Sequence, residues 1–517
     1  MVPEFVNEPL TSFSASDPAQ RQAMLSALGR VKDDFSREWP LVIGGEHVTS
    51  GAWIDSVNPC QKTQRVGRVA RAGQAHAERA LDAAWTAFPD WSRWRAGERA
   101  RLLFKVAALM RSEKHLFSAT MVYEAGKTWP EADGDTAEAI DFLEYYGREA
   151  VRLAGPHPLP RLAGEDNELT YQALGVGVAI PPWNFPLAIT CGMTAAALVT
   201  GNTVILKPAS LTPVIAARMA DLFEEAGAPP GVLNFLPGSG AEIGDFLVAH
   251  PRTRFVSFTG SREVGTHIYA LAAQVQPGQR WLKRVVAEMG GKDAIIVDES
   301  ADLEAAAAGI TTSAYGFQGQ KCSAASRAIV LDGVYGDVLG LVARKAEALR
   351  MGPAEDPASQ MAAVIDESQF DKVLSYVEVG QKEGRLVVGG EPDGADGWYI
   401  QPTVFADIPE DGRLAQEEIF GPVLSVIRAR DYSHALAIAN GTEYALTGGV
   451  YSRDRRHLER AREEFQAGNL YFNRKITGAM VGAQPFGGFD MSGTDSKAGG
   501  PDYLPLLTQA KVVVERF

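Results

Sequence analysis

The alternation of short apolar runs with helical patterns over residues 177–296 is the feature that most restricts how this chain can fold. The runs VGVAI, TVILKP, VLNFLP, RFVSFTG and DAIIVDE are rich in β-branched residues and are predicted to be buried strands. Helical patterns at 211–226 and 241–250 separate several of them. This order is typical of a parallel, doubly wound sheet with helices on both faces, and a second α/β alternation follows it. We therefore predict an α/β chain with two such units.

Two glycine-rich turns lie between a predicted strand and a helix in the first unit. GSGAEIG (238–244) follows VLNFLP, and FTGSREVG (258–265) follows RFVSF. Glycines at such turns let backbone N–H groups approach a pyrophosphate at the positive end of a helix. Neither turn has the G-x-G-x-x-G pattern, and either one alone is more typical of an ordinary tight turn. Two in succession favour a nucleotide site.

Length and charge restrict the partners. A chain of 517 residues exceeds the size at which one hydrophobic core keeps growing, so two or more domains are expected. Its 64 acidic and 50 basic residues give a formal net charge of −14. This charge argues against a nucleic-acid backbone or an anionic membrane as the main partner. A small-molecule ligand is expected instead.

Cysteine usage and the N-terminus indicate the compartment. The cysteines Cys60, Cys191 and Cys322 are widely spaced, which fits neither a disulfide framework nor a metal site, so no metal is predicted. The N-terminal stretch has acidic residues and no apolar signal region, and no apolar run reaches the ~20 residues that span a bilayer. We predict a cytoplasmic protein. The first 39 residues, which include a helical pattern at 17–39, receive no function.

Three short segments carry residues suited to chemistry. Cys322 lies in GQKCSAAS, whereas a structural cysteine would usually lie in an apolar run. Glu288 ends the predicted strand RVVAEM before two glycines, which would let a ligand approach closely; a solvated strand end is the alternative. Asn184 lies in PPWNFP, where an ordinary turn residue is the alternative. The surroundings favour a functional thiol, and the other two residues stay open at this point.

These segments belong to a set of motifs that strongly resembles the aldehyde dehydrogenase superfamily from about residue 40 to nearly the C-terminus. The motifs are PWNFP (182–186), GNTVILKPA (201–209), FTGS (258–261), EMGGK (288–292), GQKC (319–322), EEIFGP (417–422) and PFGGF (485–489). They stand in the family's order and spacing. One such match would be weak evidence, whereas seven together are very specific.

The resemblance implies a catalytic role for each of the three residues. Cys322 would attack the aldehyde carbon and give a thiohemiacetal. The side-chain amide of Asn184 and the backbone N–H of Cys322 would hold the developing oxyanion, and each such donor is worth ~3 to 4 kcal/mol. After hydride leaves for the nicotinamide, Glu288 would activate the water that hydrolyses the thioester.

The resemblance also implies NAD as the cofactor. It places Lys207 at the adenosine ribose, Ser261 at the pyrophosphate and Glu418 at the nicotinamide ribose. Many NAD-preferring members have glutamate after KPA, where it would repel a 2′-phosphate, but this chain has Ser210, so use of NADP stays open. The expected cofactor-binding residues are Lys207, Ser210, Ser261, Gly260, Glu418, Phe420, Pro182 and Trp183.

Further segments resemble one subgroup of that family, the 1-pyrroline-5-carboxylate dehydrogenases, which oxidise L-glutamate γ-semialdehyde to glutamate in proline catabolism. The segments are DTAEAIDFLEYY (135–146), YGFQGQKCSAASR (315–327) and NRKITGAMVGAQPFGGF (473–489). The subgroup implies that Ser323, Gly478 and Ala479 bind the substrate's α-carboxylate and that Glu138 faces its ammonium. Without the resemblance, a plain loop and a solvated helix face would be preferred for these residues. The expected substrate-binding residues are Ser323, Gly478, Ala479, Glu138, Lys321, Phe185 and Phe486.

The family's architecture implies three parts. Residues 1–153 and 178–289 would form the NAD-binding domain, with an N-terminal helical segment, and residues 290–489 the catalytic domain. Residues 154–177 and 490–517 would form a small β oligomerisation arm, whose VVV run predicts an exposed edge that needs a partner. A homodimer is expected as the building block, and a higher homo-oligomer such as a hexamer stays open.

Three alternatives remain. The enzyme could act on another semialdehyde or on a small aldehyde. A cysteine hydrolase or acyltransferase would need a histidine beside the thiol, and the eight histidines form no recognisable dyad motif. A non-catalytic relative is the third alternative, and the joint presence of Cys322, Glu288 and Asn184 argues against it.

Overall fold

The computed structural model describes residues 4–14 and 16–517. The α-helices of this part of the chain are α1 (Pro18–Asp33), α2 (Gln74–Trp91), α3 (Ala96–Ser112), α4 (Lys114–Ala125), α5 (Trp129–Leu153), α6 (Ala188–Val199), α7 (Pro213–Glu225), α8 (Asp245–Ala249), α9 (Arg262–Ala273), α10 (Leu303–Tyr315), α11 (Tyr335–Glu347), α12 (Glu367–Glu383), α13 (Arg413–Gln416), α14 (Tyr432–Asn440) and α15 (Arg455–Glu464). Short 3₁₀ turns and one π-helical turn occur at Gly240–Gly244, Gly316–Gly319, Asp332–Val334 and Leu504–Leu507.

The strands of the same residues are β1 (Glu38–Trp39), β2 (Leu41–Ile43), β3 (Glu46–Val48), β4 (Trp53–Val57), β5 (Arg65–Ala70), β6 (Glu165–Ala173), β7 (Val176–Ile180), β8 (Thr203–Leu206), β9 (Leu233–Phe235), β10 (Phe255–Thr259), β11 (Arg284–Glu288), β12 (Ala294–Val297), β13 (Arg327–Leu331), β14 (Arg385–Val388), β15 (Thr403–Ala406), β16 (Val423–Ala429), β17 (Tyr444–Ala445), β18 (Thr447–Tyr451), β19 (Asn469–Phe472), β20 (Phe489–Asp490) and β21 (Thr508–Arg516).

The first large sheet has the order β11-β10-β7-β8-β9-β2-β3. Its five strands from β11 to β9 run parallel, and β2 and β3 extend it antiparallel at one edge. Strands of a parallel sheet are covered on both faces, which is why runs such as VGVAI and TVIL are almost wholly apolar. Helices such as α2, α6 and α7 pack against it. The predicted doubly wound α/β fold is confirmed.

The second large sheet has the order β14-β15-β16-β13-β12-β18-β19 and is parallel except for β14. The run DAIIVDE, which contains β12, lies in this second sheet. The alternation over 177–296 had grouped it with the strands of the first sheet. The chain crosses between the sheets directly after Glu288, at Gly290 and Gly291. The crossing places the end of β11 beside residues of the second sheet.

The N-terminal helix is shorter than predicted. The pattern at 17–39 predicted one helix, but α1 ends at Asp33, and Trp39 pairs with Val69 in the parallel β1–β5 ladder. Trp39 is almost completely buried, so its burial in this small sheet replaces continuation of the helix. Among the described residues, no helix combines the length and the apolar character that crossing a membrane requires.

The β6 and β21 strands form an antiparallel two-stranded ribbon, in register from Thr508↔Ala173 to Arg516↔Glu165. Val512, Val513 and Val514 are 59%, 42% and 56% exposed, so this ribbon presents its apolar side chains to the surroundings. The predicted arm comprises residues 154–177 and 490–517, and within its second segment Ser496, Ala498 and Tyr503 line the cavity described below. Gly493 bridges to Glu288 of β11, and Arg284 at the other end of β11 donates to the carbonyl oxygen of Thr508, where β21 begins.

Candidate functional site

Two hollows meet between the large sheets. The first, here called the inner cavity, measures about 90 Å³ and has Glu138, Glu288, Cys322, Ser323 and Gly478 in its wall. The second, called the outer cleft, measures about 310 Å³ and is walled in part by Trp183, Asn184, Gly260, Ser261, Glu418 and Phe420. Cys322 lines both hollows. The thiol therefore lies where a molecule in one hollow can reach a molecule in the other.

An unusual backbone turn presents Cys322. Phe317, Gln318 and Gly319 all have positive φ values of 50°, 56° and 68°. Two of the three are not glycine, so the turn is strained and must be held by its surroundings. A Cβ at Gly319 would overlap the carbonyl oxygen of Gly421, which explains the glycine in GQKC.

Two buried glutamines hold this turn. Nε2 of Gln318 donates to the carbonyl oxygens of Gly126 and Ala363 at 3.2 and 2.7 Å. Oε1 of Gln320 accepts from the N–H of Ile365 at 2.9 Å. Sequence reasoning missed both glutamines, because their partners lie 45 to 192 residues away in the chain. They tie the segment that carries the thiol to the core.

The surroundings of Cys322 disfavour its thiolate. Burial raises the pKa of this thiol well above its usual value, and the carboxylates of Glu288, Asp293 and Glu418 raise it further, whereas the N–H of Ser323 lowers it. The resting group is therefore a protonated thiol. Loss of its proton requires a nearby base.

Asn184 lies beside the thiol segment. The residue is 4% exposed, and its Nδ2 donates to the carbonyl oxygen of Gln320 at 3.1 Å. An amide NH₂ has two hydrogens, so one stays available for a ligand in the outer cleft, which Asn184 lines with Cys322. The two residues predicted to hold an oxyanion are therefore brought together.

Glu288 ends β11 at the wall of the inner cavity. Burial raises the pKa of this carboxyl group to about 8, and the Lys497 ammonium opposes that shift. A carboxylate with a pKa in this range is well suited to act as a general base near neutral pH. Lys497, which sequence reasoning missed, is held by the carbonyl oxygen of Gly468 at 2.6 Å and by Oδ1 of Asn469 at 3.2 Å.

The outer cleft contains most of the predicted cofactor-binding residues. Trp183 and Phe420 form an edge-to-face aromatic pair at 5.4 Å, and Ser261 caps α9 by accepting from the N–H of Val264 at 3.3 Å. The cleft wall includes Pro182, Trp183, Gly260, Ser261, Glu418 and Phe420. Lys207 and Ser210 lie outside the wall described for the cleft. Lys207 is buried, which lowers its pKa to about 8, and Ser210 is exposed.

Gly290 and Gly291, which follow β11, leave room for the carboxylate of Glu418. The N–H of Gly291 donates to Oε1 of Glu418 at 3.1 Å, and a Cβ at Gly290 would overlap the same carboxylate group. A Cβ at Gly291 would lie 2.7 Å from the carbonyl oxygen of Cys322. The glycine pair therefore allows Glu418 and the thiol segment to approach β11 closely.

The inner cavity contains most of the predicted substrate-binding residues. Ser323, Gly478, Ala479, Glu138, Phe185 and Phe486 all line it. Burial raises the pKa of Glu138 to about 8, helped by the nearby Asp135, while Lys127 opposes the shift. Lys321 is outside the wall described for this cavity: its Nζ binds Oε2 of Glu131 at 2.6 Å. Sequence reasoning did not single out the aromatic wall of Phe142, Tyr146 and Tyr503.

Comparisons with known proteins agree with this geometry. The model of the aldehyde dehydrogenase family matches residues 47–513. The 1-pyrroline-5-carboxylate dehydrogenase of Geobacillus thermodenitrificans is 58% identical over 517 residues, with 100% of both chains covered. A crystal structure of 1-pyrroline-5-carboxylate dehydrogenase from Thermus with bound NAD aligns over 100% of both chains, at 55% identity and a TM-score of 0.98. Proline utilization A from Bdellovibrio bacteriovorus aligns with 99% of this chain, which spans 53% of that protein, at 47% identity and a TM-score of 0.97.

Proposed function

The chain belongs to the aldehyde dehydrogenase family, and we infer that it oxidises L-glutamate γ-semialdehyde to L-glutamate with NAD, the second step of proline catabolism. The observation that carries this inference is the position of Cys322 at the junction of the two hollows. The outer cleft suits a dinucleotide, and the inner cavity suits a small aldehyde with a polar head. The semialdehyde itself forms by hydrolysis of the cyclic imine 1-pyrroline-5-carboxylate.

Cys322 attacks the aldehyde carbon from the inner cavity and forms a thiohemiacetal. The free amide hydrogen of Asn184 and the N–H of Cys322 donate to the oxygen that gains negative charge. Because the thiol is protonated at rest, Glu288 accepts its proton before the carbon–sulfur bond forms.

The residues of the outer cleft fit the cofactor. Ser261 is the N-cap of α9, so the cleft wall that it shares with Gly260 lies at the positive end of this helix, which suits a pyrophosphate. The buried carboxylate of Glu418 suits ribose hydroxyls, and Trp183 with Phe420 provides an apolar wall. When bound, NAD supplies the acceptor for the hydride that leaves the substrate carbon.

Glu288 completes the reaction by activating water. Oxidation of the thiohemiacetal leaves a thioester on Cys322. Glu288 first releases to solvent the proton that it took from the thiol. It then takes a proton from the attacking water, whose oxygen bonds to the carbonyl carbon as the carbon–sulfur bond breaks, and returns this proton to the departing sulfur. The products are L-glutamate and the free thiol.

The polar head of the substrate is held at the far end of the inner cavity. Ser323 and the N–H groups of Gly478 and Ala479 donate to the α-carboxylate, and Glu138 accepts from the ammonium. Burial raises the pKa of Glu138 to about 8, so this carboxyl group is costly to ionise, and a substrate ammonium beside it would offset that cost.

Substrate preference tests the assignment directly. We expect the enzyme to form NADH with a higher kcat/KM for 1-pyrroline-5-carboxylate than for succinate semialdehyde or propanal, because only the first offers both head groups. Absorbance at the NADH band, with NAD and NADP in parallel, measures both preferences. A higher kcat/KM for another aldehyde would retain the family chemistry and discard this substrate.

The matched variant is Ser323→Ala. It removes one donor to the carboxylate, so KM for the amino-acid aldehyde should rise about tenfold, which corresponds to roughly 1.4 kcal/mol. KM for propanal should change less than about twofold, since propanal has no carboxylate for Ser323 to bind.

We propose that the β6–β21 ribbon joins two copies of this chain. The exposed valines of β21 and the free edges of a two-stranded sheet support the proposal, since an isolated ribbon of this kind is marginally stable in water. A homodimer is the proposed unit, with a hexamer as a higher assembly. The division into domains at 153, 177, 289 and 489 is proposed with it. A cytoplasmic location is also proposed, and the three free thiols support it.

Charged substitutions on the ribbon test the assembly. In the double variant Val512→Lys, Val514→Lys, two like charges on one ribbon face should reduce the sedimenting mass from that of a dimer or higher oligomer to that of the monomer. Leu25→Lys is the matched control, because Leu25 is 47% exposed on α1, which packs against α4. An unchanged mass for the double variant would place the interface elsewhere.

A further inference from the structure

The N-terminal strap, defined as residues 4–14, crosses the surface beside the inner cavity. It has no helix or strand of its own, and it lies over α5, the helix that carries Glu138. It also reaches the loop at 477–482, which contains Gly478 and Ala479. The strap therefore contacts both elements that are proposed to hold the substrate's head.

Buried aspartates fix the strap to α5. The N–H of Glu8 donates to Oδ1 of Asp141 at 2.6 Å, and Nδ2 of Asn7 donates to Oδ2 of the same residue at 2.8 Å. Thr11 binds Asp133 through both its N–H and its hydroxyl, at 2.7 and 2.6 Å. Asp141 lies one helical turn after Glu138, so the contact with Asn7 is made on the turn next to the proposed ammonium partner.

One side chain connects the strap to the loop as well. Nδ2 of Asn7 also donates to the carbonyl oxygen of Val481 at 3.0 Å. Phe5 adds an apolar contact there, because it packs edge to face on Tyr145 at 5.3 Å, and a Cβ at Gly482 would lie 3.0 Å from its ring. Asn7 thus bridges α5 and the loop with the two hydrogens of a single amide.

We propose that Asn7 is a positioning residue that sets the distance between Glu138 and the N–H groups of Gly478 and Ala479. The inference rests on the proposed roles of those three residues. Backbone N–H groups bind a carboxylate well only when they are held within a few tenths of an ångström of the required position. Gly478 has a φ of +74°, so the loop gains little rigidity from local conformational preference and depends on contacts made across it.

Loss of the bridge should affect one class of substrate. In Asn7→Ala, we expect KM for 1-pyrroline-5-carboxylate to rise about 5- to 10-fold, the factor that one lost hydrogen bond corresponds to. The value of kcat, and KM for propanal, should change less than about twofold, because Cys322 and Glu288 do not contact the strap. Steady-state NADH formation with both aldehydes measures the split.

Thr11→Ala is the matched control. It removes a side-chain hydrogen bond from the same strap to another buried aspartate of α5, but it does not touch the 477–482 loop. A rise in KM for the amino-acid aldehyde of the same size in both variants would overturn the proposal, since it would show general loosening of α5. Phe5→Ala is a second test of the contact between the strap and the loop. It should raise KM for the amino-acid aldehyde, as Asn7→Ala does.

The Ser323→Ala variant distinguishes failure of the proposed bridging role of Asn7 from failure of the proposed substrate. If Ser323→Ala raises KM selectively and Asn7→Ala does not, the head-group site stands and the bridging role is wrong. If wild-type enzyme shows no preference for the amino-acid aldehyde, the substrate assignment itself fails. Thermal unfolding of each variant shows that a changed KM belongs to folded protein.

Discussion

Cys322→Ala is expected to reduce NADH formation to below about one part in 10⁴ of the parent rate with every aldehyde, because no covalent adduct can form without the thiol. Binding of NAD should remain within about twofold. Trp183 lines the outer cleft, so quenching of tryptophan fluorescence by NAD measures this binding independently of turnover. The variant would then be a folded protein that binds NAD and performs no oxidation.

Cys60→Ala is the control for this result. Cys60 is buried against Tyr399 and lies outside the walls described for the inner cavity and the outer cleft. It should retain nearly full turnover, with a loss of stability of about 1 kcal/mol from the missing buried sulfur. Turnover above a few per cent of the parent rate in Cys322→Ala would remove this thiol from the reaction.

Local sequence patterns predicted the buried parallel strands of the first large sheet. Apolar β-branched runs predicted β7, β8, β9 and β10, because a strand buried on both faces has no exposed side to fill with polar residues. The sheet to which β12 belongs was not predictable in this way. An apolar run has the same appearance in either sheet, and only the crossing at the glycine pair decides its place.

The catalytic residues could be predicted because each lies in a short sequence motif. Cys322, Glu288 and Asn184 each stand in a segment with a characteristic sequence, and the structure brings all three to the walls of the two hollows. Lys497 stands in no such segment, and Gln318, although it lies beside Cys322 in one, carries no sequence signal of its hydrogen-bonding role. A lysine or glutamine has the same surroundings in sequence on a solvated surface as in a buried network, and only contacts with distant residues separate the two.

The N-terminal strap is the clearest example of a segment whose contacts with distant residues cannot be predicted from local sequence. Residues 4–14 have no periodicity, and Asn7 in EFVNEP resembles any turn asparagine. Its partners, Asp141 and Val481, lie 134 and 474 residues away. Sequence reasoning therefore left this segment without a function, whereas its hydrogen bonds suggest one.

Glu288→Gln is expected to separate the two halves of the reaction. Without a carboxylate base, the thioester on Cys322 hydrolyses slowly, and kcat should decrease about 10²- to 10⁴-fold. Glu288 also takes the proton of Cys322, so the first oxidation should slow as well, but less than hydrolysis does, because a water molecule can take that proton. Rapid mixing should therefore show a slowed burst that approaches one NADH per active site. A variant that loses the burst together with steady-state turnover would show that Glu288 is also indispensable for deprotonating the thiol.

The pH dependence provides the internal check on this variant. Because burial raises the pKa of Glu288 to about 8, the base is mostly protonated at pH 7, and kcat of the parent enzyme should rise between about pH 7 and 9. The variant should lack that rise. A carboxyl group whose pKa is raised on folding stabilises the fold below its unfolded pKa and loses that contribution as pH increases through the folded value. The amide introduced by Glu288→Gln cannot ionise, so at pH 9 the variant should unfold at a temperature equal to or above that of the parent.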